Sequence, residues 1–228
     1  MNIKITKEQH ERLCELDYEE YLFGSQLHGI ANKNSDFDYV RVVSDDFYLS
    51  FTSFARFLPN IHSFQFDGEG VQYIWMIESQ FFRGLFSGDG NNLADIVLLS
   101  GKFENPLFLC RTYKIIKGFI GVAKRDLKLH GNNDKKKFHA LRSLYMAEKL
   151  IGNELPTVES IQLLHKNYSG CYLPSKEALQ NKEENLRNKL NDMLNKGQID
   201  LYPNFTEQDE LVQIMTSSNN IKEFKYES

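Results

Sequence analysis

The 228 residues of the chain can form a sizeable core, because 41% of them are hydrophobic and 13% are aromatic. This composition excludes a mainly disordered protein. No segment approaches the roughly 20 consecutive apolar residues of a membrane span, and the polar N-terminus does not fit a signal peptide. The three cysteines, Cys14, Cys110 and Cys171, lie far apart and form no CxxC pair. Their spacing favours reduced thiols in a cytoplasmic protein.

The net charge of −4 is unevenly distributed along the chain. Residues 1–100 carry 7 basic and 15 acidic side chains, whereas residues 111–150 carry 11 basic and 3 acidic ones. An acidic first half is therefore followed by a strongly basic segment. Basic clusters attract polyanions, so this distribution points to a phosphate-rich partner in spite of the small net charge.

Residues 1–104 show the pattern of short helices and strands separated by polar loops. Helices are predicted over 4–20 and 79–86, strands over 21–25, 36–43 and 71–77, and a turn at 67–70; residues 93–99 fit a helix or a strand. From residue 105 onwards the apolar residues recur every three or four positions, which is typical of amphipathic helices. These helices are predicted over 106–129, 135–151, 157–166 and 175–196, the last with Ser175 as N-terminal cap and Gly197 as C-terminal cap.

The predicted elements indicate an α+β fold in which a small mixed sheet with flanking helices precedes a helical region. We predict an α/β core over residues 1–104, a helical C-terminal region over residues 105–202, and a loosely ordered tail over residues 203–228.

The segment between Gly24 and Asp38 combines residues that suit phosphate and metal chemistry. Gly24 and Ser25 end one predicted strand, and Asp36 and Asp38 open the next after ten intervening residues. Residues i and i+2 of a strand point to the same face, so the two carboxylates project side by side. Their repulsion favours a shared divalent cation with oxygen ligands, Mg²⁺ or Mn²⁺. Gly24 permits close approach of backbone N–H groups to a phosphate, and the Ser25 hydroxyl can donate to it.

The motif GSx(10)DxD resembles the signature of the DNA polymerase β-like nucleotidyltransferases. The longer segment GSQLHGIANKNSDFD is similar to the predicted nucleotidyltransferases of the YcgL type, which occur in bacteria and large phages. Gly29 fits that pattern, whereas His28 replaces an aromatic residue. Two later segments are also similar: Asp95 lies where the family has an acidic residue among leucines, and His139 and Arg142 match a helix motif. The similarity covers roughly residues 20–152.

The resemblance implies a nucleotidyltransferase fold, an NTP substrate and a catalytic Mg²⁺ or Mn²⁺ ion. It implies that Asp36 and Asp38 are the catalytic metal ligands. The residues expected to hold the phosphates are Gly24, Ser25, Lys137, His139 and Arg142. The neighbouring lysines at 135 and 136 could also neutralise phosphates, and simple solvation of lysines on a helix surface is the alternative for this group.

One position departs from the family pattern. Members of the superfamily usually supply a third carboxylate from a later strand, and the corresponding strand at 71–77 has Gln72 in its place. Asp67 and Glu69, in the predicted turn before that strand, are possible substitutes, although an ordinary acidic turn is the favoured interpretation. Asp95 could be the third ligand or could instead cap a helix or pair with a basic side chain.

The resemblance therefore predicts a metal-dependent transfer of a nucleoside monophosphate from an NTP to an acceptor hydroxyl group. The basic segment favours RNA, possibly a tRNA end, as the acceptor, and a protein hydroxyl group is the second option. The alternative is a catalytically reduced member of the same fold that binds nucleotide, RNA or protein, and Gln72 is the residue that supports it.

Overall fold

The structure, a computed structural model, describes residues 2–47, 63–88, 91–130, 133–168 and 173–204. These residues belong to two compact units. The sheet unit comprises residues 2–23 and 34–84, and the helical unit comprises residues 24–33 and 85–203. The predicted domain boundary at residue 104 lies inside the helical unit. Apart from Pro203 and Asn204, the predicted tail lies outside the described residues.

Five strands of the sheet unit form one mixed sheet, as predicted for an α+β fold. The strands are β1 (Asn2–Lys4), β2 (Tyr18–Phe23), β3 (Phe37–Val43), β4 (Ser63–Gly68) and β5 (Val71–Ile77). Their spatial order is β1-β4-β5-β3-β2. The β1–β4 and β3–β5 pairs are parallel, whereas the β2–β3 and β4–β5 pairs are antiparallel.

The prediction of one helix over residues 4–20 is wrong. Helix α1 spans only Lys7–Leu13, and it begins at a capping box in which the Thr6 and Gln9 side chains bond each other's backbone N–H groups. The residues on either side of the helix belong to β1 and β2. Both strands pair with segments distant in sequence, and such pairing overrides a local helical pattern.

Helix α1 covers one face of the sheet. Leu13 packs with Phe64 and Trp75 in a buried apolar cluster. His10 stacks on Phe66 with 4.2 Å between the ring centroids, and the Trp75 indole N–H donates to His10 Nδ1 at 3.1 Å. The aromatic residues of β4 and β5 thus form the core of this unit, which explains why these strands carry bulky side chains on one face.

The helical unit begins with a short helical turn, α2 (Gly24–Leu27). Helix α3 (Glu78–Ser87) follows β5, and residues 93–99 lie in a helix, not a strand. The remaining helices are α4 (Asn91–Leu99), α5 (Pro106–Cys110), α6 (Tyr113–His130), α7 (Asp134–Ile151), α8 (Val158–Tyr168) and α9 (Lys176–Asn195). Helices α6, α7 and α9 pack against one another, and α8 packs against α7.

The predicted helix over 106–129 is in fact two helices. Arg111 leaves the helical region with φ −80° and ψ 61°, and Thr112 Oγ1 accepts the Ile115 N–H at 3.4 Å at the start of α6. The predicted caps of the last helix are confirmed: Ser175 accepts the Ala178 N–H, and Gly197 follows the helix with φ +64°. None of the helices within the described ranges is both long and apolar enough to cross a membrane.

Candidate functional site

A row of polar residues crosses three strands at one end of the sheet. Asp38 of β3 is the register partner of Gln72 in β5, and Gln72 is in turn the register partner of Asp67 in β4. Residues directly opposite each other in neighbouring strands share a face of the sheet. The sequence-based placement of Gln72 beside the DxD motif is therefore confirmed, and the neutral side chain stands between two acidic ones.

The two carboxylates of the DxD motif act on each other. Asp36 is exposed just before β3, and the half-buried Asp38 is the second residue of the strand. The start of the strand is fixed by the Phe37 N–H, which donates to Gly70 O at 2.9 Å. Burial, together with the negative charge of Asp36, raises the pKa of the Asp38 carboxyl group. A cation near this pair would relieve both effects, because it replaces lost solvation and balances the repulsion.

Asp67 has a different environment. Its Oδ2 accepts from Lys4 Nζ at 2.8 Å, and its Oδ1 accepts from Gln65 Nε2 at 2.8 Å and from Gln72 Nε2 at 3.0 Å. These hydrogen bonds, with that of Gln65 the largest contribution, lower the pKa of Asp67 to about 2. Asp67 lies in strand β4, so the prediction that it belongs to a turn is wrong. Its oxygens are committed to three donors from the sheet itself.

A divalent cation at this end of the sheet would need several oxygen ligands. Across the parts of the chain that the structure describes, no group of three or more His, Cys, Asp and Glu side chains is gathered tightly enough to hold a metal ion. Asp36 and Asp38 supply two carboxylates of the kind that Mg²⁺ and Mn²⁺ prefer, and the pKa of Asp38 is raised by burial first and then by the charge of Asp36. Two carboxylates are fewer ligands than a divalent cation takes, so a cation bound here would need its other ligands from substrate and water.

The GS dipeptide begins where β2 ends. Phe23, the last residue of β2, is the register partner of Asp38, and Gly24 is the next residue along the chain. Gly24 has φ +67°, and Ser25 accepts the Ile30 N–H through its backbone oxygen at 3.1 Å. Gly24 and Ser25 belong to the helical unit, whereas Asp36 and Asp38 belong to the sheet unit.

A buried network holds the turn that follows the GS dipeptide. His28 is 1% exposed and Asp95 is 3% exposed. His28 Nε2 lies 2.9 Å from Asp95 Oδ2, and Arg142 Nη1 lies 2.9 Å from His28 Nδ1. Because arginine can only donate, Nδ1 accepts and the ring proton is on Nε2, which donates to Asp95. The alternative in which Asp95 pairs with basic side chains is thus confirmed, and Arg142 binds the imidazole of His28.

Gly29 lies in the same turn and contacts another helix. It has φ +65°, a conformation that side-chain-bearing residues rarely adopt, and a Cβ atom there would lie 2.4 Å from Gln162 Nε2. The same Gln162 amide donates to Gly29 O at 3.1 Å. The glycine that fits the family pattern is therefore needed for the close packing of this turn against α8.

The other predicted phosphate-binding residues lie on α7. Lys137 Nζ contacts Asp134 Oδ1 at 2.7 Å, so its charge is partly balanced within its own helix. Burial, then the charges of Arg142 and Lys136, lower the pKa of His139 to about 4. His139 is therefore neutral at neutral pH, and it can serve a phosphate as a hydrogen-bond donor but not as a cation.

Sequence reasoning did not identify two groups that shape these sites. His28 had been noted only as a departure from an aromatic position, and its bonds to Asp95 and Arg142 span 67 and 114 residues. Lys4 and Gln65 had no assigned role, yet together with Gln72 their hydrogen bonds lower the pKa of Asp67. A polar residue at an apolar position was the one signal for His28, because a buried imidazole requires partners.

The chain was compared with protein-family models and with curated proteins. No family model matches it, and no curated protein matches it.

Proposed function

We propose that the chain is a metal-dependent nucleotidyltransferase that moves a nucleoside monophosphate from an NTP to an acceptor hydroxyl group, with a polymerase β-like arrangement of its sheet. The observation that carries the proposal is the pair of carboxylates at Asp36 and Asp38. Asp36 directly precedes β3 and Asp38 is its second residue, and burial together with the charge of Asp36 raises the pKa of Asp38. Two neighbouring acids that have no basic partner among the residues the structure describes favour a cation ligand.

Each proposed residue has one task. Asp36 and Asp38 would hold Mg²⁺ or Mn²⁺, which when bound would balance the charge of the triphosphate and orient it for in-line attack. Gly24 and Ser25 would donate N–H and O–H groups to phosphate oxygens. Arg142, fixed through His28, would orient the turn that carries these two residues.

RNA is the acceptor that we favour. Residues 111–150 carry 11 basic and 3 acidic side chains, and this excess suits a phosphodiester backbone more than a single protein hydroxyl group. Lys137 and His139 lie in this segment, on α7. A protein acceptor would require a specific docking surface for one side chain, and it remains the second option.

A second candidate function rests on Gln72. Gln72, the register partner of Asp38, is neutral and donates to Asp67, so within the described strands no third carboxylate stands directly beside Asp38. With one metal site of two carboxylates, the fold could bind nucleotide or RNA and not catalyse transfer. This candidate predicts nucleotide binding that depends on a divalent cation, without any product.

The two candidates are separated by incubating the protein with α-labelled NTPs, Mg²⁺ or Mn²⁺, and total RNA. Label that moves to RNA, and is lost in the double variant Asp36→Asn/Asp38→Asn, supports the transferase. The single variant Asp46→Asn, which removes an exposed acid of the same unit, is the matched control. Label transfer that survives the double substitution contradicts the proposed site. Cation-dependent NTP binding with no label transfer supports the binding protein.

A further inference from the structure

Helix α6 borders a cavity that the proposed transfer reaction does not use. The cavity has a volume of about 400 Å³ and lies entirely within the helical unit. Its lining includes Lys114, Lys117, Arg125, Gly88, Gly118 and Gly121; we call it the α6 pocket. Along α6 the lining residues recur every three to four positions, so they form one face of the helix.

The α6 pocket is electropositive. Three of its lining residues are cationic, and none of the lining residues that the structure describes carries a carboxylate. Arg125 Nε lies 3.6 Å from Asp126 Oδ1, yet 62% of the arginine side chain remains exposed. Lys117 is also exposed, and Lys114 is half-buried. A cavity with this lining favours an anionic ligand.

The glycine at position 121 is an independent indication that a ligand approaches this face of α6. A glycine inside a helix lowers the stability of that helix relative to alanine, so it is normally explained by a close neighbour. Apart from its own stretch of helix, a Cβ atom on Gly121 would meet no atom of the described residues within 4 Å, whereas one on Gly88 would lie 2.4 Å from the Lys114 carbonyl oxygen. Packing therefore explains Gly88 as part of the pocket wall. It does not explain Gly121, which leaves the helix backbone accessible from the cavity.

The dimensions and lining of the pocket indicate which kind of anion it could bind. Lys114 and Arg125 are separated by roughly 16 Å along the helix axis, since each residue adds about 1.5 Å. One phosphate group cannot contact both, whereas an extended chain of phosphates can. Val122 is the one apolar side chain in the described lining, so there is little surface on which to bury a base. A cavity of this volume also excludes a duplex.

We propose that the α6 pocket binds the sugar–phosphate backbone of a single-stranded nucleic acid, without reading its sequence. The cations would contact successive phosphates, and the exposed backbone at Gly121 would let the strand approach the helix closely. The assignment of this strand as the acceptor rests on the proposed function, whereas the binding itself requires neither NTP nor metal.

The test is fluorescence anisotropy with a labelled oligouridylate, titrated with the full chain at several salt concentrations without NTP or divalent cations. Lys117→Gln should weaken binding several-fold and reduce the slope of log K against log salt concentration by about 0.7, the value for one phosphate contact with a single strand. Gly121→Leu should also weaken binding several-fold, because it fills the cavity while all charges are kept. An oligodeoxyuridylate of equal length distinguishes RNA from DNA as the source of the backbone, and inorganic tripolyphosphate as competitor tests for a short polyphosphate.

Two controls make the result decisive. Lys124→Gln removes one positive charge from the same helix outside the pocket lining and should change the affinity less than Lys117→Gln does. Circular dichroism and thermal unfolding should show that Gly121→Leu is folded, since leucine favours a helix.

The proposal is overturned if the oligonucleotide does not bind, if tripolyphosphate alone binds, or if Gly121→Leu binds normally while Lys124→Gln and Lys117→Gln weaken binding equally. Asp38→Asn should bind the strand normally, so the loss of label transfer with intact strand binding would concern the transferase site alone.

Discussion

Gln72 and Asp38 are register partners in adjacent parallel strands, and the amide nitrogen of Gln72 donates to Asp67 and not to Asp38. The side chain therefore separates two acids with opposite properties. The pKa of Asp38 is raised, and that of Asp67 is lowered to about 2. The Gln72 side chain has its carbonyl oxygen and one further N–H to offer beside the DxD pair, and neither brings the negative charge that a third carboxylate would offer to a cation.

Replacing Gln72 with aspartate should make the stability of the protein depend on divalent cations. Gln72→Asp removes a hydrogen bond to Asp67 and places a third carboxylate in the same row. We expect the free energy of unfolding in chelator to fall by about 1–2 kcal/mol. Mn²⁺ should restore part of this loss, because a cation neutralises the added charge. Urea unfolding with chelator and with Mn²⁺ measures both effects.

The matched control is Gln72→Asn, which shortens the side chain without adding charge. It should lose a smaller part of the stability, and Mn²⁺ should affect it no more than it affects the unmodified chain. Equal stability of Gln72→Asp in chelator and in Mn²⁺ would show that the DxD end of the row does not attract a cation.

The buried network predicts strong energetic coupling between His28 and Asp95. His28→Phe should lower the free energy of unfolding by about 2–3 kcal/mol, because it leaves Asp95 and Arg142 without their shared partner. Asp95→Leu alone should lower the free energy of unfolding by a similar amount. The double variant should lose about 1–2 kcal/mol less than the sum of the two. Chemical denaturation of all four proteins measures this difference.

The control cycle combines His28→Phe with Ser175→Ala, which removes the N-terminal cap of α9 and costs about 1 kcal/mol. These two effects should add to within roughly 0.5 kcal/mol. Additivity in the His28–Asp95 cycle as well would mean that the 2.9 Å contact contributes nothing to stability.

His139 should make the protein less stable in mild acid. Its pKa is lowered from 6.5 to about 4 in the folded chain, mainly by burial. Between these two pH values the unfolded chain binds a proton that the folded chain does not, so stability falls as the pH falls through this interval. Over this pH interval the free energy of unfolding of His139→Gln should fall by about 1 kcal/mol less than that of the unmodified chain. This figure allows for solvent screening of the partly exposed ring.

Urea unfolding at the two ends of this pH interval tests the prediction. A His139→Gln variant whose stability decreases in parallel with that of the unmodified chain would show that the imidazole is not held neutral. A direct check is the titration of the His139 ring protons by NMR, which should give a pKa near 4.

The sequence allowed the local parts of the fold to be predicted. Strand β5 spans 71–77 as predicted, and α7, α8 and α9 begin and end within two residues of their predicted limits. In these elements the apolar period and the caps agree with the tertiary packing. The helix predicted over 4–20 did not have this agreement, because its two ends pair with β3 and β4. The capping residues Thr6 and Gln9 were a local signal for the true start of α1.

The candidate site was predictable where it depends on strand geometry and not where it depends on distant contacts. The i, i+2 spacing placed Asp36 and Asp38 at the start of a strand, which in the structure begins one residue later, at Phe37, and the family resemblance pointed to Gln72 in the later strand. The attachment of the Gly24–Gly29 turn through His28 depends on contacts with two helices far along the chain. No periodicity in one sequence specifies which buried polar residues will meet.

Binding of Mn²⁺ by Asp36 and Asp38 is the central claim, and electron paramagnetic resonance of free Mn²⁺ tests it most directly. Titration of the unmodified chain should remove the free-ion signal with a saturable site, more tightly with NTP present. Asp46→Asn should bind Mn²⁺ as the unmodified chain does, and Asp38→Asn should leave the ion free. If Asp38→Asn binds Mn²⁺ as well as the unmodified chain, or if neither protein binds it, the paired carboxylates are not a metal site.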